Sequence, residues 1–157
     1  SNSLIILKRL VYLISPKKIY KNFYKDLRKV LAFKNVKFFQ LRIKEMPAYK
    51  IIKIAKKIKI IIKNYNVKLI INDNIEIAKI VGADGCHIGQ LDGSVPEGRK
   101  YLKKKIIGVT CHGSKKYAKA AIKNKVDYVA FGSFFQSKLK PRAKKANLKV
   151  LKWAKKI

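Results

Sequence analysis

The feature that most constrains this chain is the regular alternation of two kinds of segment. Short apolar runs recur at Leu10–Ile14, Val36–Leu41, Val67–Ile71, Asp84–Ile88, Ile106–Thr110 and Tyr128–Gly132. Each is about five residues long, which suits strands covered on both faces. Helical patterns separate them. One is expected to open at Ser15-Pro16, with Pro in the first turn. The others cover Tyr49–Tyr65, Ile75–Val81, Gly98–Leu102, Lys115–Lys123 and Leu148–Lys156. In Tyr49–Tyr65, Ile51, Ala55, Ile58 and Ile62 recur at helical spacing with lysines opposite. Its lysines also suit a membrane-surface helix, but strands on both sides make it a core-facing helix of a βα unit. Strand–helix alternation predicts an α/β fold built on a parallel sheet. Six such units are expected in one domain over residues 1–157. A closed (β/α) barrel has eight units and usually about 250 residues.

The 157 residues carry 39 Lys and Arg against 8 Asp and Glu, a formal charge of +31. Such a balance raises nucleic acid or an anionic membrane as a partner. However, only Arg9, Arg28, Arg42, Arg99 and Arg142 supply the bidentate fork that base readout favours. The lysines are spread along the whole chain, and the abundance of Lys, Ile and Asn fits codon bias. No specific nucleic-acid partner is expected, although the field would draw phosphorylated small molecules toward the protein. No apolar run approaches the roughly 18 residues of a membrane span. Leu4-Ile5-Ile6-Leu7 is too short for a secretory leader and lacks a small-residue cleavage site. Cys86 and Cys111 form no CxxC pair and read as small buried hydrophobes. A soluble cytoplasmic domain is expected.

The carboxylates are more telling than the lysines. Five of the eight, Asp73, Glu76, Asp84, Asp92 and Glu97, fall in one segment. Polar residues also gather where the strand runs finish, the end that carries the active site in parallel barrels. These are Gln40-Leu41-Arg42-Ile43-Lys44, Asn72-Asp73-Asn74, His87 to Asp92, Thr110-Cys111-His112, and Gly132 to Lys140. Arg42, Lys44 and Lys140 are donors suited to phosphate oxygens. Asp73 and Asp92 follow neighbouring strands, so one Mg²⁺ could sit between them. Each residue also has an ordinary reading. Asp73-Asn74 fits a helix cap, Gly89 to Asp92 fits a turn, and His87 and His112 fit core histidines. The convergence of five strand ends on anion and metal chemistry favours a diphosphate substrate.

On these residues the chain resembles the thiamine phosphate synthase family, whose fold is a TIM-type (β/α) barrel. The matching motifs are Tyr12-Leu13-Ile14, Gln40 to Lys44, Ile71-Asn72-Asp73, Gly82 to Asp92, Ile107 to His112 and Asp127 to Phe135. Gly82-Ala83-Asp84-Gly85-Cys86-His87-Ile88-Gly89-Gln90 is the specific run. The resemblance implies a transferase that joins hydroxymethylpyrimidine diphosphate to thiazole phosphate, releasing pyrophosphate. It implies Mg²⁺ on Asp73 and Asp92. It gives Arg42, Lys44 and Lys140 the catalytic handling of the diphosphate, with Asn72 beside them and Gln40 on the pyrimidine side. Thr110 takes the place of the usual Ser and keeps its hydroxyl.

The family's Thr-x-Thr-Lys reads Ser137-Lys138-Leu139-Lys140 here, so Ser137 keeps a substrate-binding hydroxyl and Leu139 loses one. Gln136 and Ser133 stand where Pro is usual. The family also has two further βα units, which the chain is expected to lack. A homo-oligomer or a completing partner chain is the corresponding expectation. Two other functions stay open. One is a thiazole tautomerase, which has a His at a position like His112. The other is a shortened, non-catalytic barrel binding anions or nucleic acid through its charge. Retention of Asp73, Asp92 and Lys44 favours the synthase.

Overall fold

The computed structural model of the chain describes residues 9–89, 95–134 and 146–156. In chain order these hold β1 (Val11–Ile14), α1 (Phe23–Leu31), β2 (Val36–Leu41), α2 (Ala48–Lys63), β3 (Lys68–Asn72) and α3 (Ile75–Val81). There follow β4 (Gly85–Ile88), α4 (Val95–Leu102), β5 (Ile106–His112), α5 (Lys115–Lys123), β6 (Tyr128–Phe131) and α6 (Leu148–Ala154). The strands form one sheet in the order β1-β2-β3-β4-β5-β6, and every pair is parallel. This sequential order is that of a (β/α) barrel wall rather than of a doubly wound sheet.

The sheet is curled. β1 and β6 are its two edges, yet the hydroxyls of Tyr12 and Tyr128 meet at 2.5 Å and their rings lie edge to face. Side chains alternate between the two faces. Phe39, Leu41, Leu69, Ile71, Cys86, Ile88, Ile107, Val109 and Cys111 point to the helices and join one buried cluster with them. Both cysteines are buried and unbridged, as expected. Helix α2 contributes Ala55, Ile58, Ile61 and Ile62 to that cluster while its lysines face out, so it is a core helix. Each such Ile contributes about 1.5–3 kcal/mol of burial. Among the described residues, no helix is long and apolar enough to cross a membrane.

Two local expectations are corrected. The first helix begins at Phe23, not at Ser15-Pro16. The Ser15 backbone N–H donates to the Gln40 carbonyl at 2.9 Å, and the Ser15 hydroxyl accepts from the Arg42 N–H at 2.8 Å. Ser15 therefore continues the β1–β2 pairing, and the chain crosses the rim before turning into α1. Helix α4 begins at Val95, ahead of the expected Gly98, with Pro96 in its first turn where no backbone donor is needed.

The inward face is set by two glycines. A Cβ on Gly108 would lie 1.9 Å from the Tyr128 ring, and one on Gly85 would lie 2.3 Å from the Ile106 carbonyl oxygen. Their lack of a side chain lets the Tyr128 ring lie across β5 and brings β4 and β5 close.

Candidate active site

The inward-facing parity continues upward into a cleft of about 820 Å³ at the C-terminal ends of the strands. Tyr12, Gln40, His87, Thr110 and Tyr128 form its floor, and Arg42, Lys44, Asn72, Asp73 and His112 its rim. The cleft gathers five of the residues singled out as substrate contacts, Gln40, Arg42, Lys44, Asn72 and Thr110, together with Asp73. Asp92, Ser137 and Lys140 lie outside the described residues.

The floor is polar but uncharged. Gln40, 3% exposed, donates from Nε2 to the Tyr12 hydroxyl at 3.0 Å. Tyr12 meets Tyr128, whose hydroxyl lies 2.9 Å from His87 Nδ1. His87 Nε2 lies 2.6 Å from the Thr110 hydroxyl. One chain of hydrogen bonds thus crosses from β2 through β1, β6 and β4 to β5. Burial pushes both tyrosine hydroxyls above their ordinary range, so they stay protonated. Burial also pushes the His87 imidazole down, against the pull of Asp73 and with the help of Arg42. His87 is thus a core histidine in its bonding and a cleft residue in its position, while His112 is exposed on the rim.

The charge sits above this floor. Lys44 Nζ lies 2.5 Å from Asp73 Oδ2, and both side chains are partly exposed. Asp73 follows β3 with φ 64°, a left-handed conformation that Asp tolerates better than most residues. Its backbone N–H donates to the His87 carbonyl at 2.8 Å, anchoring it between β3 and β4. The cap and site readings of Asp73-Asn74 divide between the two residues. Asn74 caps α3, its side chain accepting from the Ile77 N–H at 2.8 Å, and leaves the Asp73 carboxylate on the cleft rim.

A hard divalent cation would find carboxylate oxygen at Asp73 beside the Asn72 side chain. Among the described residues, no group of three or more His, Cys, Asp and Glu converges on one point. That donor set suits Mg²⁺, which takes one or two carboxylates together with water and substrate phosphate.

Tyr12 and Tyr128 were not singled out as site residues by sequence reasoning. In the structure they face the cleft by parity: each stands two residues before another lining residue, Ile14 and Ala130.

Comparison with known proteins agrees with this geometry. A family model described as thiamine monophosphate synthase matches residues 11–157. The thiamine-phosphate synthase of Pelagibacter ubique is 51% identical over 151 residues, covering 96% of this chain and 73% of that protein. That of Erythrobacter litoralis is 38% identical over 148 residues, covering 91% of this chain and 70% of that protein. The solved thiamine phosphate pyrophosphorylase from Pyrococcus furiosus superposes with a TM-score of 0.72 at 26% identity, over 82% of this chain and 62% of that one. The fold is thus that of a TIM-type barrel wall, with six βα units among the described residues. The chain belongs to the thiamine monophosphate synthase family, and thiamine-phosphate synthase, a transferase, is the function on which its family model, its relatives and its fold agree.

Proposed function

We propose that this cleft binds hydroxymethylpyrimidine diphosphate and couples it with thiazole phosphate, giving thiamine phosphate and pyrophosphate. The observation that carries the reading is the division of the cleft into a neutral, aromatic floor and a charged rim. A flat heteroaromatic ring suits the floor of Tyr12, Tyr128 and His87, with Gln40 and the Thr110 hydroxyl as polar contacts. A diphosphate suits the rim of Arg42 and Lys44, with Asn72 beside them. Lys140 and Ser137 are proposed to complete that side.

The reaction breaks the bond between the pyrimidine methylene carbon and the diphosphate oxygen, whose electron pair leaves with pyrophosphate. The thiazole nitrogen lone pair forms the new C–N bond. No net proton transfer is needed, so no general base is assigned. The leaving charge needs positive partners, which Arg42 and Lys44 offer on the cleft rim, with Lys140 proposed as a third. Mg²⁺ held by Asp73 and Asp92 would neutralise diphosphate oxygens in the same way. The described floor residues set no anionic side chain beside the pyrimidine ring, since His87 and the two phenols are neutral.

The test is titration calorimetry with hydroxymethylpyrimidine diphosphate, with and without Mg²⁺, at about physiological salt to suppress the bulk charge. Saturable, Mg²⁺-dependent binding is expected, weakened by Arg42→Ala and not by Lys53→Ala on the outer face of α2. Binding that ignores Mg²⁺, or equal losses in the two variants, would overturn the reading in favour of general anion binding. His112, exposed on the rim, is the observation favouring the tautomerase. Synthase turnover that survives His112→Ala would set that second reading aside.

A further inference from the structure

The Lys44–Asp73 pair holds two groups that the proposed reaction uses separately. Asp73 is the fixed member. Its backbone is anchored to β4 through the His87 carbonyl at 2.8 Å. Lys44 is the movable member, an ammonium on a four-carbon stem. Its backbone is held by the Lys17 carbonyl at 3.3 Å, and its side chain remains 38% exposed. While Nζ lies 2.5 Å from Oδ2, that oxygen is occupied by a cation already. A divalent ion on the same carboxylate must displace or repel the ammonium.

The displaced ammonium has few places to go. Among the described residues, the ion pairs are Lys44–Asp73 and Arg99–Asp127, and the second lies at the opposite end of the sheet. The described charged groups lining the cleft are Arg42, Lys44 and Asp73. Among the described residues no second carboxylate lines the cleft to accept Lys44, and the diphosphate brought by the substrate is an anion that would.

We propose that Lys44 is an exchange residue that couples the metal to the diphosphate. It holds Asp73 in the empty cleft and transfers to diphosphate oxygen when the metal takes the carboxylate. This rests on the synthase reading of the cleft. Each ligand removes the obstacle to the other, so the two bind with positive coupling, and the coupling is the same whichever arrives first. An ammonium that only binds diphosphate would weaken diphosphate binding when removed and leave the metal alone. An exchange residue gives effects of opposite sign on the two ligands.

The experiment uses the whole chain and Mn²⁺ as a paramagnetic substitute for Mg²⁺, since both favour carboxylate and phosphate oxygen. Free Mn²⁺ is followed by its resonance signal, first alone and then with inorganic pyrophosphate. Lys44→Met is expected to bind Mn²⁺ alone about two- to fivefold more tightly, the range of an exposed ion pair. The same variant is expected to bind the Mn²⁺–pyrophosphate complex at least about tenfold more weakly, from the loss of a charged hydrogen bond. Lys53→Ala, which removes the same charge from the outer face of α2, is expected to move neither. Lys44→Met weakening both ligands, leaving Mn²⁺ unmoved, or matching Lys53→Ala would overturn the exchange role while leaving the cleft reading intact. Wild-type pyrophosphate binding that ignores Mn²⁺ would overturn both.

Discussion

Asp73 after β3, and Asp84 and Asp127 just ahead of β4 and β6, place one side-chain type at opposite ends of the same sheet. The lower two are consumed by the backbone. Asp84 donates its N–H to the Leu69 carbonyl at 2.9 Å, and its Oδ2 accepts the Leu69 N–H at 2.8 Å. Asp127 brackets Ile107 in the same way, at 2.8 Å for each bond, and also takes Arg99 Nη2 at 2.8 Å. Arg99 reaches on to the carbonyls of Lys103, Lys105 and Lys125. These clamps set the β3–β4 and β5–β6 registers, and an inward parity depends on register. The upper carboxylate instead faces a side chain that can leave. What differs is the partner: a backbone amide of the neighbouring strand holds Asp84 and Asp127 in the sheet, whereas Asp73 pairs with the partly exposed Lys44 ammonium on the cleft rim.

The largest effect that would test this contrast is at Asp73. Asp73→Asn, which keeps a residue that tolerates the left-handed backbone, is expected to lower synthase turnover about a hundredfold or more, the scale of losing a main electrostatic contact at a reacting centre. Its unfolding free energy is expected to change by less than about 1 kcal/mol, because the lost ion pair is partly exposed. Steady-state kinetics and urea unfolding on the same preparation check both halves. A large loss of stability would make Asp73 a clamp like the other two.

Gly108→Ala tests the link between the two ends. The new methyl would collide with the Tyr128 ring, so the ring must move and the bonds of its hydroxyl to Tyr12 and His87 are strained or lost. A stability loss of about 1–3 kcal/mol is expected from overpacking, with weaker binding of the pyrimidine substrate alongside it. Unchanged substrate affinity would separate the floor from the substrate.

Asp127→Ala comes next. It leaves the buried Ile107 N–H without its side-chain acceptor and releases Arg99. A loss of about 1–3 kcal/mol in urea unfolding is expected, with Mg²⁺-dependent diphosphate affinity retained. Loss of that affinity in a still-folded variant would show that the lower clamp reaches the cleft.

Much of this was legible in the chain. The six strands appear where the apolar runs stand, because the strand residues that face the helices are the apolar ones that pack into the core. Helices α3 and α5 match their expected limits, since Asn74 and Ser114 cap them with their own side chains. The Ser15-Pro16 signal misled because Pro at a first helical turn and Pro in a rim crossing look alike. The bond from the Arg42 N–H to the Ser15 hydroxyl, which decides between them, joins residues 27 apart. The rim was legible because charge at strand ends is rare in buried sheets. The floor was harder: Tyr12 and Tyr128 look like any strand aromatic until the curl of the sheet brings opposite edges together. Similarly, the clamps at Asp84 and Asp127 depend on a register that only the pairing of neighbouring strands defines.

The smallest effect belongs to His87 and concerns whether the floor is held neutral. Burial lowers its affinity for a proton in the folded state, while the unfolded chain offers an ordinary imidazole with a pKa of about 6.5. Above that pH both states carry neutral His87, and it contributes no pH dependence. As the pH falls through the unfolded value, the unfolded chain takes up a proton that the folded chain resists. Stability therefore declines with falling pH over this window, and the decline ends once the folded imidazole is protonated too. His87→Gln removes the proton site, so its unfolding free energy is expected to fall less steeply than wild type from neutral pH downward. The comparison of slopes, rather than of absolute stabilities, separates this from the hydrogen bonds to Tyr128 and Thr110 that the substitution also alters. Equal slopes would mean that the cleft protonates His87 as readily as water does. The floor would then gain positive charge in mild acid, and the division between a neutral floor and a charged rim would hold only at higher pH.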